Sequence, residues 1–107
     1  MTTVEQIKNT LAKHREELKE RFKVAEIGIF GSYVRKEQKR KSDVDILVDF
    51  YETIDLFTFV ELENYLSEIL GVKVDLVMKD ALKPRLKEKI LSEAVYLRET
   101  FKLTSKT

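Results

Sequence analysis

Residues 31–50 read GSYVRKEQKRKSDVDILVDF, and the fold turns on how this stretch divides. Its last seven residues, VDILVDF at 44–50, alternate with the period of a strand. Val44, Ile46, Val48 and Phe50 share one wholly apolar face, whereas Asp43, Asp45, Leu47 and Asp49 share the other. That pattern predicts a strand with one side in a core. The stretch opens on Gly31-Ser32, which interrupts VAEIGIF at 24–30, a short apolar run carrying Val24, Ile27 and Ile29. The run predicts a strand and the dipeptide a turn out of it. A short helix from about Ser32 to Glu37 and then a basic loop are expected between the two strands.

Working outward, Val4, Ile7, Leu11, Leu18 and Phe22 recur at helical spacing, which predicts one amphipathic helix over 3–22. Thr3 followed by Gln6 has the form of a capping box. Beyond the second strand, Leu56, Phe59, Val60, Leu62, Leu66, Ile69 and Leu70 predict a helix over 55–70, with Gly71 where a C-terminal glycine belongs. Its acids Asp55, Glu61, Glu63 and Glu68 read as a solvated face. VKVDLVM at 72–78 predicts a third strand. Pro84 suits the first turn of a last helix, whose apolar face would be Leu86, Ile90, Leu91, Ala94 and Leu97. The order is α-β-α-β-α-β-α, an α/β (α+β) class. The 107 residues are expected to form one domain over 1–107, with a frayed tail from about Thr100.

Composition removes several function classes. The chain has no Cys, which excludes a disulfide scaffold, a thiol enzyme and a Cys-type zinc site. No apolar run approaches the ~20 residues of a membrane span, and no signal-like segment follows Met1. The expectation is a soluble, cytoplasmic protein with no membrane partner. Net charge is only +1, so direct nucleic-acid binding is not expected. The charge is nevertheless blocked: residues 35–41 carry +4, residues 42–70 carry −8 with no Lys or Arg, and residues 71–107 return to +4. Such blocks fit either solvated faces or an acidic, cation-binding edge beside a basic lip.

The acids of the second strand need an explanation. Asp43 and Asp45 are neighbours on one face, about 7 Å apart along the strand. They repel each other, and Asp is depleted from strands. A divalent cation would offset the repulsion, since Mg²⁺ takes oxygen ligands and commonly uses one or two carboxylates plus substrate phosphates. Asp75, in the middle of VKVDLVM, would join them if the second and third strands are neighbours. Three such acids could cradle two ions for a phosphoryl displacement. Asp49 lies further along and reads as surface, or as a cap region for the next helix.

At the other end of the stretch, a Gly at a strand-to-helix turn allows close approach of a ligand to the backbone. Free helix N–H groups, the Ser32 hydroxyl and Arg35 one turn later could then bind phosphate. A turn and a salt bridge would explain the same residues. The lone His14 lies near the apolar stripe of the first helix and reads as structural.

Gly31-Ser32, ten residues, then Asp43-Val44-Asp45 resembles the GS-x10-D-x-D signature of the nucleotidyltransferases of the DNA polymerase β superfamily. The whole string is similar to the minimal nucleotidyltransferase group, single small domains often encoded beside a HEPN-domain partner. The resemblance implies a mixed sheet of three or more strands flanked by about four helices. It implies that Gly31, Ser32, Arg35 and Ser42 contact the nucleotide, that Asp43 and Asp45 bind Mg²⁺, and that Asp75 completes the metal site and assists deprotonation of the attacking hydroxyl. The implied activity is adenylyl transfer from ATP, with pyrophosphate leaving, onto a tyrosine of a HEPN ribonuclease toxin, which makes this chain the antitoxin. Family members often carry Ala and Gly around the Arg, where this chain has Val34 and Lys36. Two other readings stay open: transfer to a small molecule or RNA, and a partner-occluding module without turnover.

Overall fold

The computed structural model describes residues 3–37 and 43–97. Ser42, most of the basic loop and the tail from Thr100 lie outside the described residues. The chain runs α1 (Val4–Lys13), α2 (Arg15–Glu20), β1 (Val24–Phe30), α3 (Ser32–Arg35), β2 (Val44–Phe50), α4 (Leu56–Leu70), β3 (Val74–Met78), a 3₁₀ turn (Lys79–Ala81), α5 (Pro84–Glu93) and β4 (Val95–Tyr96). The strands form one sheet in the order β3-β2-β1-β4. β1 is antiparallel to both β2 and β4, whereas β2 and β3 are parallel. The expected mixed sheet is therefore present, with one strand more than the apolar runs predict.

The apolar face of β2 lies where its alternation requires. Val44, Ile46 and Val48 are buried with Ile27 and Ile29 of β1 and Val74 and Leu76 of β3. Ile7 and Leu11 of α1, Leu18 of α2, and Leu62 and Leu66 of α4 close this core from one side. Leu47, on the opposite face, is buried as well, so the acid-bearing side of the sheet is partly covered. No helix among the described residues is long and apolar enough to cross a membrane.

The first expected helix is two helices, and His14 explains the break. The His14 ring Nδ1–H donates to the Thr10 carbonyl at 2.9 Å. That carbonyl would otherwise accept the His14 backbone N–H, which turns to Leu11 O instead at 3.1 Å. The ring also packs edge-on against Tyr65, with centroids 5.9 Å apart. At the N-terminus the capping box holds: Gln6 N–H donates to Thr3 Oγ1 at 3.2 Å, and Thr3 N–H to Gln6 Oε1 at 2.9 Å.

The later elements keep their predicted order with shifted ends. Asp55 caps α4 by accepting the Thr58 N–H at 2.8 Å, and Gly71 ends that helix at φ 68°. Asp49 stays in β2 and accepts the neighbouring Phe50 N–H, so it is no cap. The expected acidic face of α4 is partly engaged by contacts within the chain. Glu61 meets Arg21 at 3.3 Å, and Glu63 accepts the Leu76 N–H at 3.0 Å, tying α4 to β3. β3 begins at Val74, two residues later than expected. α5 ends at Glu93, so Ala94 and Leu97 are not on its face; the chain turns at Ala94 and adds β4 to the free edge of β1. Gly28 permits this, because a Cβ there would stand 2.9 Å from the Tyr96 ring.

Lys36 ends α3 in the left-handed region, at φ 59° and ψ 36°. The left-handed conformation crowds a Cβ by roughly 1–2 kcal/mol, partly offset by the greater unfolded-state freedom of glycine. Lys36→Gly should therefore raise stability by about 0.5 kcal/mol or more, read as a thermal midpoint a few degrees higher. An unchanged or lower midpoint would contradict the strain.

Candidate active site

β2 is the middle of three strands at this end of the sheet, and its register brings the sequence-predicted residues together. Asp45 pairs with Phe30 of β1 on one side and with Asp75 of β3 on the other. Neighbouring strands lie about 4.8 Å apart, so the Asp45 and Asp75 side chains leave adjacent points of one face. Asp43, just before β2, is half-buried, and its charge reaches Asp45. Asp75 is exposed and open to an incoming group.

The Asp45 carboxyl is pushed above its ordinary value. Partial burial is the largest cause, followed by the like charges of Asp75 and Asp43; Arg35 opposes them. Repulsion inferred from the sequence is thus present in the folded chain. Among the described residues no three acids already close around a point as a finished metal cage. Asp45 and Asp75 are register neighbours, and Asp43 acts on Asp45 through its charge. Carboxylate donor chemistry, without nitrogen or sulfur, fits a hard divalent ion such as Mg²⁺, and a crowded Asp45 is a group that a cation stabilises.

Gly31 has two independent reasons to be glycine. Its backbone sits at φ 79° and ψ −150°, a conformation that L side chains rarely adopt. A Cβ at this position would also overlap the Asp45 carboxylate. The turn and the acid therefore touch. Ser32 begins α3, in which the Val34 and Arg35 N–H groups both donate to the Gly31 carbonyl at 3.1 Å. Arg35, on the last turn, donates through Nε to Glu37 at 2.9 Å and through Nη1 to Glu93 at 3.1 Å. The salt bridge that the sequence leaves open for Arg35 is formed here.

Glu93 is the residue that sequence reasoning missed. Its carboxylate also accepts the Gly31 N–H at 3.3 Å. No spacing marks it, since it is one of two acids on a surface helix, with Glu88. The signal is the fourth strand: once β4 folds back on β1, the end of α5 must lie beside Gly31. Two residues of β4 are too short to leave a periodic pattern.

This arrangement has close relatives. Residues 11–97, which take in β1 through β4, match the family model of the nucleotidyltransferase domain. The chain is 56% identical over 97 residues to the protein adenylyltransferase MntA of Thermococcus cleftensis, covering 91% of this chain and 98% of that protein. Its structure is similar to a crystal structure of a toxin-antitoxin with AMP-PNP, at 29% identity and a TM-score of 0.69, covering 91% of this chain and 82% of that one. It is also similar to a chain of the complex between a tri-AMPylated Shewanella oneidensis HEPN toxin and its MNT antitoxin, at 26% identity and a TM-score of 0.64, covering 89% and 71%. With the signature, the sheet order and these likenesses in agreement, the chain belongs to the nucleotidyltransferase domain family, as one of its minimal members.

Proposed function

We propose that this chain is a cytoplasmic protein adenylyltransferase that moves AMP from ATP onto a tyrosine of a HEPN-type ribonuclease toxin, silencing it. The observation that supports the reading best is the β2 register, in which Asp45 adjoins Asp75 on one side and the Phe30–Gly31 end of β1 on the other. The named partners of structurally similar chains, a HEPN toxin and AMP-PNP, supply the acceptor and nucleotide classes.

In this reaction the acceptor oxygen bonds to the α-phosphorus of ATP. The bond from that phosphorus to the bridging oxygen breaks, and pyrophosphate leaves. We assign the hydroxyl proton to Asp75, because its exposed carboxylate is within reach of a residue carried by another protein. The backbone at Gly31 and Ser32 and the Arg35 guanidinium hold the phosphates, with Ser42 adding a hydroxyl. Asp43, Asp45 and Asp75 would hold Mg²⁺, which would offset the negative charge of the triphosphate when bound. Transfer of this type depends on positioning and charge neutralisation more than on a covalent nucleophile. The partner needs a surface, and Leu56 and Phe57 at the start of α4 offer one, being 74% and 84% exposed.

Three outcomes test the reading. Asp43→Asn with Asp45→Asn should lower transfer of labelled AMP to the co-purified toxin by about a thousandfold or more, with the fold retained. Normal transfer by that double variant would sink the metal assignment, and a wild-type chain that binds the toxin without ever labelling it would favour the occluding module. Second, the folded-state pKa of Asp45 lies above its unfolded value, so its ionised form penalises the metal-free fold. The penalty is full above the folded pKa and fades as pH falls through it. Asp45→Asn should raise the thermal midpoint in EDTA at neutral pH, and the gain should shrink on acidification toward about pH 4. Mg²⁺ should raise the midpoint of the wild type and much less that of the variant. Third, Phe57→Asp should weaken toxin association by about tenfold or more while the chain still binds ATP.

A further inference from the structure

Glu93 stands where the β1–β4 ladder would continue. Gly28 pairs with Tyr96 and Ile29 with Val95, so the same antiparallel register carried two steps further sets Gly31 opposite Glu93. Residue 93 is helical, and its side chain takes the place of a strand partner. One oxygen, Oε1, accepts both the Gly31 N–H at 3.3 Å and Arg35 Nη1 at 3.1 Å; Oε2 lies 3.4 Å from the same nitrogen. The side chain is 19% exposed, against 64% for Glu37, the other carboxylate on Arg35. Exposed ion pairs hold a long side chain weakly, and Glu93, the less exposed of the two acids, sits at the end of a helix that β4 fastens to β1.

We propose that Glu93 is a positioning residue for the triphosphate: it fixes the Arg35 guanidinium beside the Gly31–Ser32 turn. The assignment rests on the nucleotidyl-transfer reading. Arginine loses about 2 kcal/mol of rotamer freedom when it is held in one place. Arg35 is also within electrostatic reach of Asp45, an acid the reading reserves for the cation. The Glu93 carboxylate ties the guanidinium to the Gly31 turn before nucleotide arrives. Nε and Nη1 meet the two glutamates, and the Nη2 donors of the fork remain chemically able to meet a phosphate.

The test uses the chain in complex with its toxin partner. Glu93→Gln keeps an oxygen for the Gly31 N–H but removes the charge that clamps Arg35; Glu93→Ala removes both. Glu93→Gln should raise KM for ATP about tenfold, the size of one lost charge-assisted contact, with kcat within about twofold. In an Arg35→Ala background the same change should leave KM where Arg35→Ala alone puts it. A wild-type KM in Glu93→Gln, or an equal KM rise with and without Arg35, overturns the assignment. Thermal melts check that each variant is folded, and ATP titration of Glu93→Gln gives the same answer independently of turnover. A wild-type chain that neither binds nor turns over ATP overturns the nucleotidyl-transfer reading, and this assignment with it.

Discussion

A strand flanked on both sides can hold only one register when one of its faces is buried, and β2 is such a strand. Slipping by one residue would carry Val44, Ile46 and Val48 out of the core and turn Asp45 into it. Core burial, not any attraction among the acids, therefore fixes Asp45 opposite Phe30 and Asp75. The acids repel one another, and the fold bears that repulsion because the opposite face of the same strand is so strongly committed. The chemistry of one side of the sheet is positioned by the hydrophobic packing of the other.

The positive groups are arranged to match. Arg35 lies between Glu37 and Glu93 and also lowers the proton affinity of Asp45. A single cation thus faces three acids, and its position among them depends on which is best buried and best fixed. Glu93 has that advantage over Glu37, because β4 fastens the end of α5 to β1. The contact of Tyr96 with Gly28 makes the fastening possible. A residue at the centre of the sheet and a short strand at its edge are coupled in this way to the Gly31–Ser32 turn.

Much of this was legible in the sequence, for physical reasons. The alternation in VDILVDF exposes the strand, its buried face and its acids together, since period two is unambiguous over seven residues. Gly31 was legible as a turn, and the structure adds that it also makes room for the Asp45 carboxylate. The strand pairing that unites Asp45 with Asp75 was only an inference, because periodicity reports faces and not neighbours. The break at His14 was hidden: it arises from one ring nitrogen taking the Thr10 carbonyl, and hydrophobic spacing carries no record of such competition. β4 was hidden by its brevity, and Glu93 with it. The expectation that α4 offers a plain solvated acidic face failed where Glu63 turned inward to brace β3.

The parallel pairing of β2 with β3 has a temporal consequence. Two parallel neighbours cannot be joined by a tight hairpin; here the connection is α4, and Asp45 and Asp75 come from opposite ends of that crossover. The two carboxylates meet only after the crossover helix has docked, and non-local pairings of this kind form late as a chain condenses. A nascent or partly melted chain therefore has its glycine turn and its first acids without their counterpart. Competence for chemistry arrives with completion of the tertiary structure, so damage to the core disarms the molecule even where every reactive group is intact.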